Sequence, residues 1–141
     1  MNKSQADVLF SSDSAEWETP QAFFDVLNKK WHFTLDPCAT HANHKCEKYF
    51  TKEDDGLRQS WAGHIVFCNP PYGRYVGAWV QKAKDEQDTA TTVMLLPART
   101  DTKWFQNIIQ EHALAVIFLP GRLKFGGSKN AAPFPSMLVV F

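Results

Sequence analysis

No apolar run in this chain approaches the ~20 residues that a membrane-spanning helix needs. Its first segment, Met1 to Ser14, is polar and lacks the charged start and apolar centre of a secretory signal. These absences point to a soluble cytoplasmic protein with no membrane partner. Cysteine is scarce and odd in number, three residues in all, which argues against a disulfide framework. Glycine is scarce as well, and its seven copies form no G-x-G-x-x-G loop, so a pyrophosphate cofactor is not favoured. Neither sign of charge prevails overall, with 15 basic and 15 acidic residues.

What is present has a direction. Residues 1–60 carry 7 Lys and Arg against 10 Asp and Glu, and residues 61–141 carry 8 against 5. The modest basic excess of the second half suits a polyanionic partner, and it equally suits an ordinary solvated surface. At 141 residues the chain is long enough for one core, read as a polar arm over 1–14 and a single domain over 15–141.

Apolar runs alternate with helical periodicity. Trp17-Glu18-Thr19-Pro20 opens a helix to about Lys30, with Thr19 as N-cap, Pro20 as first helical residue and Phe23, Phe24 and Leu27 inward. His32 to Leu35 reads as a short strand ending at Asp36, and Ile65 to Cys68 as a buried one. Arg74 to about Gln87 is amphipathic through Val76, Trp79, Val80 and Ala83. Thr91 to Leu96 is a strand closed by Pro97, and Asp101 caps a helix through Trp104, Phe105, Ile108 and Ile109. Leu114 to Leu119 is a third buried strand and Ser136 to Phe141 the last. The alternation predicts an α/β fold with a mostly parallel sheet, to which a C-terminal hairpin adds an antiparallel edge. The chain stops within an apolar run, so either the natural protein continues past Phe141 or the last strand packs tightly at its end.

Asn69-Pro70-Pro71-Tyr72 follows the strand Ile65–Cys68, at the edge where open α/β sheets bind ligands. An amino group conjugated to an aromatic ring holds its lone pair in the π-system and is a poor nucleophile. The Asn69 side-chain oxygen and the Pro70 carbonyl offer two acceptors for its two N–H groups, which would free the lone pair for an electrophilic methyl. Pro70 and Pro71 hold those acceptors in place beforehand. Tyr72 offers a face on which an extruded base can stack. The plain alternative is a proline-rich turn after a strand.

Asp36-Pro37-Cys38-Ala39 lies at the end of the earlier strand. Asp36 suits the cationic or hydroxyl-bearing part of a cofactor such as a sulfonium amino acid, and the small Cys38 and Ala39 let it approach the backbone. Asp55, in Asp54-Asp55-Gly56, suits ribose hydroxyls or an adenine amino group, or is part of a solvated acidic loop. Cys38, His41, His44 and Cys46 are zinc-ligand types, but their spacing lacks the paired-ligand pattern of zinc sites, so no metal is expected. Arg99, Lys103, Arg122 and Lys124 are phosphate-contact candidates, and Phe125 and Phe134 are stacking candidates or inward-packing rings of a hairpin.

Six segments in order, Trp17-x-Thr19-Pro20, Asp36-Pro37-Cys38-Ala39-Thr40, Asp55-Gly56-Leu57, Asn69-Pro70-Pro71-Tyr72-Gly73-Arg74, Leu96 to Asp101 and Gly121 to Phe125, resemble the phage-type DNA N-6-adenine methyltransferase (Dam) family. The resemblance covers nearly all of Trp17 to Phe141. It implies a compact Rossmann-like, S-adenosylmethionine-dependent enzyme that methylates adenine N6 in DNA, in a bacterium or phage-infected host. Carried over by residue, Asn69, Pro70, Pro71 and Tyr72 form the catalytic motif. Trp17, Thr19, Pro20, Asp36, Pro37, Cys38, Ala39, Asp55 and Asn69 meet the donor, and Tyr72 and Arg74 join the DNA-contact candidates. Glycine usual in the first cofactor motif is replaced here by Cys38-Ala39. A non-catalytic nucleic-acid-binding relic remains open, as does an enzyme acting on cytosine N4, RNA adenine or protein glutamine. Self-association into a homo-oligomer is likewise open.

Overall fold

The computed structural model describes residues 17–141, so the polar arm expected over residues 1–14 lies outside the described part. Helix α1 (Gln21–Trp31) leads to strand β1 (Leu35–Asp36), then to β2 (Lys48–Tyr49), β3 (Ile65–Cys68), helix α2 (Val76–Asp85) and β4 (Thr91–Pro97). A π-helical turn (Phe105–Ile109) runs into a short helix α3 (Gln110–His112), and β5 (Ala115–Phe118) and β6 (Ser136–Val140) close the chain. The six strands form one sheet in the order β2-β1-β3-β4-β6-β5.

Strands β2, β1, β3 and β4 are mutually parallel, with Leu35 opposite Val66 and Cys68 opposite Met94. Strand β6 runs antiparallel to both β4 and β5. The expected mostly parallel sheet is therefore present, but the antiparallel strand is not at its edge. All five β6 residues are buried between β4 and β5, and residues 119–135 separate β5 from β6 in place of a tight turn. The outcome for Leu114–Leu119 is a correction. Strand β5 is the sheet edge, with Leu114, Ile117 and Phe118 exposed, because β6 takes the interior place beside β4.

The core follows from the uninterrupted apolar runs. Residues Val66–Cys68, Val93–Leu96 and Met137–Val140 are buried along their length, the pattern of strands covered on both faces. Phe24 of α1 meets Phe67 of β3 edge to face, with ring centroids 5.2 Å apart, and Phe33 packs on both. In α2, Val76, Trp79, Val80 and Ala83 are the buried residues, matching the predicted stripe. Each large side chain so buried contributes roughly 1.5–3 kcal/mol.

Three local expectations are corrected. Thr19 does not cap α1. Pro20 occupies the N-cap with an extended ψ of 130°, the first helical residue is Gln21, and the Phe24 N–H donates to the Pro20 carbonyl. The first strand is shorter than His32–Leu35, since His32 is the left-handed residue that ends α1, at φ 53°. Asp101 is not the cap of the following helical turn; the Thr102 hydroxyl accepts from the Phe105 N–H at 3.3 Å.

Candidate active site

The chain passes from β1 outward to β2 and then returns to β3 on the other side of β1, so the connections diverge at the β1/β3 junction. Such a point leaves a crevice at the strands' carboxyl ends. A cleft of about 1450 Å³ opens there. Asp36, at the end of β1, and Asn69, one residue past β3, both line it.

Asn69 is held by the N-terminal segment. Its amide Nδ2 donates to the Trp17 carbonyl and to the Thr19 hydroxyl, the latter at 3.0 Å. A carbonyl oxygen can only accept, so the amide nitrogen must face Trp17, which fixes the amide orientation. Its Oδ1 is consequently turned the other way. That oxygen is buried and accepts no hydrogen bond among the described residues. A buried acceptor without a donor costs about 1–3 kcal/mol, so it marks a place where a donor belongs. The neighbouring Pro70 carbonyl also receives no hydrogen bond from the described residues.

Thr19 is buried, and its segment is anchored in turn. Glu18 forms an antiparallel bridge with Gly126, whose N–H donates to the Glu18 carbonyl at 2.8 Å. Behind the segment, Trp17 meets Phe125 and Phe134 edge on, with centroids 5.5 and 5.4 Å away. Tyr72 joins that aromatic group against both phenylalanines and donates its hydroxyl to the Leu95 carbonyl at 3.0 Å. Burial pushes the Tyr72 phenol well above its ordinary range, so it stays protonated. Only 6% of Tyr72 is exposed, yet it borders the cleft.

Asp36 organises the opposite wall. Its Oδ1 accepts from the Cys38 N–H at 3.2 Å and its Oδ2 from the Lys45 N–H at 2.9 Å, which folds residues 37–45 around the carboxylate. Burial raises its pKa, against the pull of those two N–H groups and of the Lys45 and His44 charges. A cation arriving in the cleft would relieve that strain on the charged form. The Asp55-Gly56 turn touches the same wall: Asp55 has φ 58°, and a Cβ on Gly56 would lie 2.4 Å from the Pro37 oxygen. Asp55 also meets Arg58 at 3.4 Å, an exposed pair.

Cys38 and Cys68, at the ends of the β1 and β3 paths, bring their Sγ atoms to 3.6 Å as free thiols. Burial and the neighbouring thiol push Cys38 well up. His44 donates its Nδ1–H to the Cys46 carbonyl, and His41 pairs with the Tyr49 hydroxyl, so the zinc-type residues are divided among different partners.

Of the residues singled out from the sequence, Trp17, Thr19, Asp36, Pro37, Cys38, Ala39, Asp55, Asn69, Pro70, Pro71, Tyr72 and Arg74 line one cleft. Others lie away from its lining. Pro20 is the N-cap of α1, Phe125 is buried behind the wall, and Phe134 is half-buried against Trp17 and Tyr72. Arg99 is exposed with its guanidinium 5.9 Å from the Phe134 ring, and Lys103, Arg122 and Lys124 are exposed at the surface. Lys45, His41, Tyr75 and Ser128 to Asn130 border the cleft without having been assigned to it from the sequence. For Tyr75 a signal existed, a basic-aromatic pair one residue after the tetrapeptide.

Comparison with known proteins gives a consistent picture. Residues 8–141 match the family described as DNA N-6-adenine-methyltransferase (Dam). The DNA N-6-adenine-methyltransferase of Haemophilus phage HP1 is 30% identical over 139 residues, spanning 92% of this chain and 80% of that protein. The DNA N-6-adenine-methyltransferase of Escherichia phage T1 is 31% identical over 110 residues, 76% of this chain and 45% of its own length.

Proposed function

The chain belongs to the DNA N-6-adenine-methyltransferase (Dam) family, and we propose that the cleft at the β1/β3 junction is where it transfers a methyl group. It is an adenine-specific DNA methyltransferase, and its substrate nitrogen is adenine N6 in DNA. The observation that carries the assignment of the site is the buried Asn69 Oδ1, oriented as an acceptor and left without a donor among the described residues. An adenine amino group entering from the cleft supplies one N–H to Asn69 Oδ1 and the other to the Pro70 carbonyl. With both hydrogens held, the nitrogen lone pair leaves ring conjugation and can attack. Neither acceptor has to move, which keeps the reorganisation cost low.

The donor we assign is S-adenosylmethionine. Asp36 and Asp55 give the cleft two carboxylates for its ammonium and hydroxyl groups, and the tight Gly56–Pro37 approach keeps their loops together. When bound, it supplies an electrophilic methyl on a sulfonium sulfur. Tyr72 borders the place of the base, and Arg74 that of a phosphate. A Rossmann-like reading of the sheet is supported by its parallel strands and its divergence point at the site. The compartment we assign is the cytoplasm of a bacterium or a phage-infected host, which the phage origin of the relatives supports, and among the described residues no helix is long and apolar enough to cross a membrane.

The test is nucleoside mass spectrometry after incubating the purified protein with methyl-labelled S-adenosylmethionine and plasmid DNA. Label in N6-methyldeoxyadenosine is expected. Label confined to N4-methylcytosine, to RNA or to protein would overturn the assignment.

A further inference from the structure

We propose that Tyr75 is the side chain that stacks into the opened duplex beside the extruded adenine, with Arg74 holding its ring in position. The inference rests on the methyl-transfer reading above and assigns a role to a residue outside the tetrapeptide. Extruding a base leaves a gap in the stack and costs a few kcal/mol unless something fills it. The filling group should be aromatic, exposed before DNA arrives and located at the cleft mouth. Among the described residues, Tyr75 and Phe118 are the large aromatics with most of their surface in water, 54% and 58% exposed. Phe118 sits on β5, at the sheet edge beyond β4 and β6 from the β1/β3 junction, whereas Tyr75 borders the cleft.

Tyr72 is not free for this task. Its hydroxyl is committed to the Leu95 carbonyl and its ring is packed against Phe125 and Phe134. Among the described residues, the Tyr75 ring and hydroxyl pair with Arg74: its Nη2 donates to the Tyr75 hydroxyl at 2.6 Å, and the guanidinium carbon lies 4.8 Å from the ring centroid. That contact limits the ring's rotamers before binding, which reduces the ordering cost on contact with DNA. Among the described residues Arg74 has no carboxylate within salt-bridge reach, so its charge is available to a backbone phosphate. Gly73, at φ 120°, makes the turn that carries the pair out of the tetrapeptide and into the start of α2.

The test uses a duplex carrying one methylated sequence mapped on plasmid DNA, in two forms, with the target adenine opposite thymine or opposite an abasic site. Tyr75→Ala should lose about tenfold in kcat/KM on the paired duplex and return to within about twofold of wild type on the abasic one, where no partner has to be displaced. Tyr75→Phe, which keeps the ring, should lose far less on the paired duplex. Unchanged S-adenosylmethionine binding by calorimetry shows that each variant is folded. An equal loss of Tyr75→Ala on both duplexes, or no loss on either, overturns this inference alone. A wild-type protein inactive on both duplexes overturns the catalytic reading and this inference with it.

Discussion

The Asn69 amide nitrogen donates to the Thr19 hydroxyl at 3.0 Å, across 50 residues of sequence, and that bond joins the one to the Trp17 carbonyl in holding the Asn69 oxygen turned the other way. On the proposed reading of the site, Thr19 thereby acts on the reaction through another residue. Thr19→Val removes the acceptor and leaves the Trp17 carbonyl as the amide's remaining partner among the described residues. We expect kcat to fall about tenfold to a hundredfold, the scale of ~1–3 kcal/mol for a lost buried partner. Thr19→Ser should restore most of it. Steady-state methylation kinetics with the folded variants decide the matter; a Thr19→Val enzyme with wild-type kcat would show that Asn69 is oriented by other contacts.

Gly56 is the second position where geometry makes a sharp demand. Its missing Cβ leaves room for the Pro37 carbonyl, which a methyl group would approach to 2.4 Å, and Trp79 closes the other side at 3.1 Å. Gly56→Ala should cost about 1–3 kcal/mol of stability, as overpacking of a tight contact does. Because Pro37 follows Asp36, affinity for S-adenosylmethionine should weaken too. Denaturant unfolding and calorimetry measure the two effects, and a variant as stable as wild type would mean that the loops separate freely.

Glu86 is expected to contribute to how stability changes in acid. Burial works to raise its pKa, but hydrogen bonds from Lys82 at 2.6 Å and from the Trp61 N–H at 3.2 Å outweigh it, leaving the carboxyl below its ordinary value of 4.5. A carboxyl lowered by folding stabilises the protein above its unfolded pKa, and the contribution is lost as pH falls through the folded pKa. Asp36, raised by burial, has the opposite sign: its contribution is present at low pH and is lost as pH rises through its folded pKa. Glu86→Gln should therefore flatten the acid limb of the stability profile and leave the Asp36 limb intact. Urea unfolding midpoints taken from about pH 3 to pH 7 would show this; an unchanged acid limb would assign acid loss to another group.

The strongest periodicities were legible in the sequence. Strand β3 spans Ile65–Cys68 as expected, and α2 buries the four residues its spacing picked out. Leu114–Leu119 was not legible in the same way. An apolar strand reads alike whether it lies inside a sheet or at its edge, and only the insertion of β6 beside β4 decides that β5 stays exposed. The two-residue strands β1 and β2 are too short to carry a period. At the site, Asp36 and Asn69 were legible because both follow apolar runs, and parallel pairing of β1 with β3 brings them to one edge. The link from Thr19 to Asn69 was hidden by a local signal. Threonine before proline resembles a helix cap, and the tertiary hydrogen bond claims the hydroxyl instead.

The central claim is that Asn69 Oδ1 awaits the adenine amino group, and Asn69→Ala tests it most directly. Methyl transfer to DNA is measured by mass spectrometry of nucleosides, and S-adenosylmethionine binding by calorimetry on the same preparation. We predict a fall in kcat of about 10²–10³, the cost of removing one preorganised transition-state partner, with donor binding retained. An Asn69→Ala enzyme that forms N6-methyladenine at the wild-type rate would contradict the account.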